Sequence, residues 1–138
     1  LSALLAHALM SIGAVKAVEI GDGIAVTSSN GSTDNDGFTV KDGEIIKTSN
    51  HAGGIMGGIS DGSEIILRAH IKPSISQPQQ TVTKDKEPLS LEIHGRHDPV
   101  IVPRAVVVVE SMAAITLADA LFVNMSSQMD KVRDFYRK

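Results

Sequence analysis

No cysteine and no tryptophan occur among the 138 residues, and aromatic side chains make up only 3% of them. The first absence excludes disulfides, thiolate nucleophiles and zinc–thiolate sites together, and it suits a reducing compartment, for which the cytoplasm is the expectation. The second leaves Ile, Val, Leu, Met and Ala to build the interior. A basic excess is also lacking: the formal charge is -3, so a nucleic-acid partner held by general electrostatics is not expected. Any anion must be bound locally. The longest unbroken aliphatic run, Ala105 to Val109, is far below the ~20 residues that cross a bilayer, so no membrane partner is expected either. The opening LSALLAHALM has no basic leader and carries His7 within its apolar stretch, unlike a secretory signal.

What is present is a globular composition, 42% hydrophobic and 21% charged, of a length that suits one domain with one core. Leu5, Leu9 and Ile12 already follow helical spacing with only Ser2 ahead of them to cap it, and residue 1 is Leu; the expectation is a chain cut from something longer. This helix should stop at Gly13, followed by a strand over Ala14 to Ile20 and a turn at Gly21-Asp22-Gly23. Thr27 to Asn50 is polar and Gly-rich around two apolar islands, Phe38-Thr39-Val40 and Ile45-Ile46, which predicts an irregular excursion containing a hairpin. Glu64 to Lys72 alternates, with Ile65, Leu67, Ala69 and Ile71 on one face, as a half-buried strand does. Pro73 ends it. Gln77 to Pro88 is expected to be a linker or exposed loop, and Leu89, Leu91 and Ile93 a further strand. Arg104 to Val123 has neither Gly nor Pro and predicts a helix with Pro103 in its first turn; MDKVRDFYRK predicts a charged helical tail. The order of elements gives an α+β fold, a β-α-β sandwich with helices packed on a mainly antiparallel sheet.

Three places carry candidate chemistry. SNHAGGIMGGISDG, residues 49 to 62, holds two glycine pairs, Gly53-Gly54 and Gly57-Gly58. They satisfy either a tight turn with close packing or a wall of backbone N–H groups against a flat ring or anion. The window is neither a dinucleotide fingerprint nor a phosphate loop. KPSIS, 72 to 76, brings Lys72, Ser74 and Ser76 to a strand exit, where a polar turn competes with an anion site. GRHDP, 95 to 99, offers Arg96 as a planar fork for an anion and Asp98 as a proton acceptor, against a plain surface ion pair. His94, His97 and Asp98 do not converge as metal ligands, because His94 and His97 face opposite sides of a strand; no metal is expected. DNDG, 34 to 37, reads as a turn and not a calcium loop. His7 and His51 read as packing or hydrogen-bonding residues, Met56 and Met112 as core, and Ser49 has no base at readable spacing.

Taken together, SIGAVKAVEIGDG (11 to 23), SNHAGGIMGGISDG (49 to 62), KPSIS (72 to 76) and GRHDPVIVPRAVVVVESMAAITLAD (95 to 119) closely resemble chorismate synthase, from about Ala8 to Leu121. The resemblance implies an FMN-dependent carbon–oxygen lyase of the shikimate pathway. Such an enzyme eliminates phosphate and a ring proton, anti-1,4, from 5-enolpyruvylshikimate 3-phosphate, and needs reduced FMN though no net redox change occurs. It also implies a homotetramer. Carried over residue by residue, flavin contacts fall on Gly13, Ala14, Gly57, Lys72, Pro73, Ser74, Ile75, Ser76 and Arg96. Asp98 matches the aspartate near flavin N5, the catalytic position. Gly13 and Ala17 stand where many members carry Asn and Gly, so contacts there fall to the backbone. The family's Arg-Ala-Ser flavin segment, substrate-binding arginines and two catalytic histidines belong to its N-terminal part and are not found in these residues. The resemblance therefore implies that residues 1–138 are the C-terminal portion of the enzyme, inactive alone. Whether the parent reduces its flavin with NADPH stays open. The competing reading is a non-catalytic assembly or anion-binding module that self-associates through its apolar helix.

Overall fold

The computed structural model describes residues 1–75, 77–96 and 100–137. Helix α1, Ser2–Met10, leads through a turn into strand β1, Val15–Ile20. The turn reverses the chain with Ile12 N–H on Leu9 O and Val15 N–H on Ile12 O, and Ala14 takes φ 69° there. Leu5, Leu9, Val15 and Ile55 are the buried hydrophobic residues, so α1 and β1 form the small centre of the molecule.

Strand β1 is followed by a 3-10 turn, Gly23–Ser28, and the excursion then returns as the expected hairpin, β2 Phe38–Lys41 with β3 Glu44–Lys47. The glycine window forms a second hairpin, β4 Ile55–Met56 with β5 Ile59–Ser60. Its two-residue loop is Gly57-Gly58, at φ 58° and 83°. Both values are positive, as the tight hairpin turn matching strand twist demands.

Strand β6, Leu67–Ile71, pairs antiparallel with β1 from Ile20↔Leu67 to Val15↔Ile71, with an irregularity between Val15 and Ala17. Its half-buried side chains are Leu67, Ala69 and Ile71, the face given by alternation. The strand is shorter than Glu64 to Lys72 because the backbone before it packs elsewhere: Ile66 N–H donates to Gly53 O and Ile66 O accepts from Gly21 N–H.

Residues 77–88 correct the linker expectation. Gln79–Val82 is strand β7 and pairs with β8, Pro88–Leu91. Both strands are exposed throughout; the polar composition of Gln79–Val82 masked β7, while β8 contains Leu89 and Leu91 of the expected strand. Ile93 lies past the end of β8. His94 is likewise outside any strand, so the opposite-face argument does not apply to it.

Helix α2, Val102–Met125, has Pro103 in its first turn, and α3 is Met129–Tyr136. α1 packs on both β1 and α2, while Val102, Val106 and Val109 of α2 face Leu67, Ala69 and Ile71 of β6 across a cleft of about 280 Å³. The fold is therefore α+β, helices against antiparallel strand pairs. Among the described residues these pairs are four separate two-stranded ladders.

No residue of α2 is buried; Val107, Ile115, Phe122 and Val123 are among its exposed apolar side chains. By length and composition α2 is long and apolar enough to cross a membrane, a property that core helices share and that a count of unbroken aliphatic runs does not register. Glu110 and Asp119 interrupt the runs without making the helix polar. The single core expected from length is also not reached. A compact monomer of this mass exposes roughly 6,900 Å², whereas this chain of 14.6 kDa exposes 10772 Å². Met56, expected in the core, is 38% exposed, and Met112 is half-buried.

Candidate functional site

Two neighbourhoods hold the chemistry. The first is the end of the β1–β6 ladder at the carboxyl end of α1. Lys72 N–H donates to Ala14 O at 2.8 Å, and Gly13 precedes Ala14 in the same turn. Lys72, Pro73, Ser74 and Ile75 then leave β6 as exposed, irregular backbone. Among the described residues the Lys72 ammonium has no ion-pair partner, and neither does the Arg96 guanidinium, which is exposed beyond β8. An uncommitted ammonium such as that of Lys72 beside an open backbone turn is a donor that a phosphate group needs.

Gly57 is not brought to this place. The amino group of Leu1 donates to Gly58 O at 2.6 Å, which puts the Gly57-Gly58 loop at the start of α1. Gly13, Ala14 and Lys72 sit past its end, with about 14 Å of helix between them at 1.5 Å per residue. A Cβ added at Gly57 would meet nothing within 4 Å, so the loop's outer side is open. Among the described residues no hydrogen bond or ion pair ties Arg96 to either end. Ser76 and Asp98 lie outside the described residues, as do His97 and Pro99.

The second neighbourhood is the glycine window itself. Gly53 approaches Gly21 so closely that an added Cβ would lie 2.5 Å from Gly21 Cα, and one at Gly54 would lie 2.5 Å from Glu64 O. Close backbone packing thus accounts for the first pair and the hairpin loop for the second. A polar network that sequence reading did not find holds the window in place. Asp36 Oδ1 accepts from Ser49 Oγ at 2.7 Å and from His51 N–H at 2.8 Å, while Oδ2 accepts from Ala52 N–H at 2.9 Å. Lys47 Nζ bridges Asp36 at 3.2 Å and Asp61 at 2.9 Å, and also reaches Asn50 Oδ1. Asn50 is the joint: its oxygen accepts from Gly54 N–H and its amide nitrogen donates to Glu64 O.

Burial works against the ionised Asp36 carboxyl, but the hydrogen bonds from Ser49, Ala52, His51 and Lys47 outweigh it and hold its pKa well below the usual carboxylate range. The hydrogen bond to Asp61 raises Lys47, and the same contact lowers Asp61. The hydrogen bond to the Asp22 carboxylate, 2.6 Å from Nδ1, raises His51. DNDG was expected to be a turn; Asp36 within it is instead the buried hub. The spacing of acidic residues and Gly gave no sign of that, because the partners, Lys47, Ser49, His51 and Ala52, lie 11 to 16 residues further along the chain.

Comparison with known proteins identifies the scaffold that carries both neighbourhoods. A family model described as chorismate synthase matches residues 1–122. This chain belongs to the chorismate synthase family. The chorismate synthase of Lachnoclostridium phytofermentans is 60% identical over 141 residues, covering 100% of this chain and 38% of that protein. That of Lachnospira eligens is 57% identical over 140 residues with the same coverage, and that of Archaeoglobus fulgidus 53% over 126 residues, 89% of this chain and 35% of that protein. A solved structure entitled "Crystal Structure of Chorismate Synthase" superposes with a TM-score of 0.67 at 32% identity, covering 96% of this chain and 33% of that one. The chain thus spans little more than a third of the length of these chorismate synthases. Its resemblance blocks, the Gly13-Ala14 turn and the glycine window included, all fall within the matched residues.

Proposed function

We propose that this chain supplies the C-terminal part of a cytoplasmic chorismate synthase, a lyase converting 5-enolpyruvylshikimate 3-phosphate to chorismate with reduced FMN. The observation that carries this reading is the junction of Gly13, Ala14 and Lys72, bonded through Lys72 N–H and Ala14 O at 2.8 Å, where matched family residues coincide with a cation that has no ion-pair partner among the described residues. In this reading Lys72 and Arg96 bind phosphate, Ser74 and Ser76 donate hydroxyls, and Gly13 and Ala14 offer backbone groups without side-chain bulk. Asp98 holds or accepts a proton beside flavin N5. Reduced FMN, when bound, supplies transient charge to an elimination that has no net redox change.

Gly57 lies across the length of α1 from that junction. A flavin contact there would be made along the open face of the Gly57-Gly58 loop, apart from the Lys72 junction. The exposed apolar face of α2, and a molecular surface about half as large again as that of a compact monomer, favour burial against the rest of the polypeptide and against other copies in a homotetramer. That requirement favours the enzyme over an isolated assembly module and makes α2 a core helix, not a membrane span.

The test uses full-length protein, reduced FMN and the phosphorylated substrate, following phosphate release and chorismate formation together. Lys72→Met and Arg96→Ala should each weaken flavin binding at least tenfold, and Asp98→Asn should lower turnover with flavin affinity retained. Undiminished turnover in the Arg96→Ala, Asp98→Asn double variant overturns the assignment.

A further inference from the structure

Behind the glycine window, on the side facing the 30–36 loop, three side chains from three separate segments meet. Asp22 comes from the turn after β1, Asp34 from the excursion and His51 from the start of the window. Their ligand atoms, one carboxylate oxygen each from Asp22 and Asp34 and a ring nitrogen of His51, all lie within 4.8 Å of one another. All three residues are half-buried.

The arrangement is held from behind. Asp22 N–H donates to His51 O at 2.9 Å, and His51 N–H is fixed by Asp36 Oδ1 at 2.8 Å. Asp34 N–H is tied to Asn30 O at 3.0 Å. The side chains thus project from anchored backbone, as ligands of a preformed site do. Their chemistry also asks for a cation. Asp34 Oδ1 is buried and has no hydrogen-bond partner among the described residues, although a carboxylate oxygen withdrawn from water is ordinarily satisfied. Of the carboxylates of this region, Asp36 and Asp61 are paired with Lys47 and Asp22 Oδ2 with His51 Nδ1 at 2.6 Å, which leaves Asp34 without a cation among the described residues. The nearby Arg68 guanidinium is bonded to the Gly21 carbonyl.

We propose that Asp22, Asp34 and His51 form a binding site for one divalent transition-metal ion of the zinc type, with water completing its shell. One imidazole and two carboxylates suit such an ion better than magnesium or calcium, which prefer oxygen alone. Metal–ligand bonds of 2.0–2.2 Å place ligand atoms about 3.4 Å apart around a tetrahedral centre. The direct contact of His51 Nδ1 with Asp22 Oδ2 at 2.6 Å is one that the ion would replace, the two atoms parting to that spacing. A bound ion would staple the 30–36 loop to the turn after β1 and to the glycine window, giving the unpaired Asp34 oxygen its partner. This role is structural and independent of the proposed elimination.

The experiment strips full-length protein with a chelator, then measures zinc uptake by equilibrium dialysis with elemental analysis of the protein fraction. One equivalent should bind per chain, and Asp34→Asn and His51→Gln should each weaken that binding at least tenfold. A His70→Ala, His94→Ala variant should bind as the parent does, which separates this site from surface histidines. Zinc should raise the melting temperature of the parent and leave that of Asp34→Asn unchanged. Absence of stoichiometric uptake, or equal uptake by the parent and Asp34→Asn, overturns the proposal. If Asp34→Asn does not fold by circular dichroism, His51→Gln decides in its place by the same comparison.

Discussion

Replacing Gly53 by alanine should be among the most damaging single-methyl changes in this chain, and the same change at Gly57 among the mildest of those made at positive φ. Both residues adopt left-handed backbone, φ 62° and 58°, so both variants carry the side-chain strain of that region, about 1 kcal/mol. They differ in what the new methyl meets. At Gly53 it would lie 2.5 Å from Gly21 Cα and 3.2 Å from Ile66 O. Those atoms are backbone already committed to a hydrogen bond between Gly21 N–H and Ile66 O at 3.0 Å. No side chain can rotate away, so relief requires parting the window from the β1 turn, an overpacking cost of about 1–3 kcal/mol. At Gly57 nothing lies within 4 Å. Gly53→Ala should therefore lose about 3 kcal/mol and Gly57→Ala about 1 kcal/mol. Urea unfolding of the full-length variants, followed by far-ultraviolet circular dichroism, reads the difference. Equal midpoints for the two variants would refute the close-packing account of the first glycine pair. Flavin titration of the same two proteins adds a second readout. If the cofactor lies against the open loop, Gly57→Ala should weaken flavin binding despite its small effect on stability.

Asn50→Ala should destabilise by about 1–3 kcal/mol, because it leaves Gly54 N–H and Glu64 O without the partner that joins them; thermal melts check this, and a loss below 0.5 kcal/mol would sink the role of Asn50 as a joint. Asp61→Asn should flatten the pH dependence of stability at both extremes. The lowered pKa of Asp61 contributes stability present above its ordinary 3.8 and lost as pH falls through the folded value. The raised pKa of Lys47 contributes stability present below its ordinary 10.5 and lost as pH rises through the folded value. Melting temperatures across the acid and alkaline ranges would show both slopes reduced, whereas a parent-like profile would count against the pair.

Local pattern made several elements legible. The helix spacing of Leu5 and Leu9, the alternation of Leu67, Ala69 and Ile71, and the Gly-free stretch before Val123 each specify an element through neighbours three, four or two residues apart. The hairpin around Phe38 and Ile45 was legible for the same reason. Of the β7–β8 hairpin, β8 showed in the alternation of Leu89 and Leu91, whereas β7 did not, since Gln79–Val82 is solvent-exposed and carries no apolar period. At the candidate site, the motifs pointed to Gly13, Ala14, Lys72 and Gly57, but no motif records that α1 separates Gly57 from the other three.

From sequence alone come the α+β class, the periodic elements and the family blocks, because each depends on residues near one another along the chain. Only the tertiary structure decided that Gly53 abuts Gly21, that Asp36 is a buried hub for Lys47, Ser49, His51 and Ala52, and that Asp22, Asp34 and His51 converge. Those contacts join residues 11 to 32 apart in the chain, from Asp36 with Lys47 to Gly21 with Gly53. Backbone closure, hydrogen-bond geometry and burial select such partners in three dimensions, and no short-range pattern in the sequence encodes them.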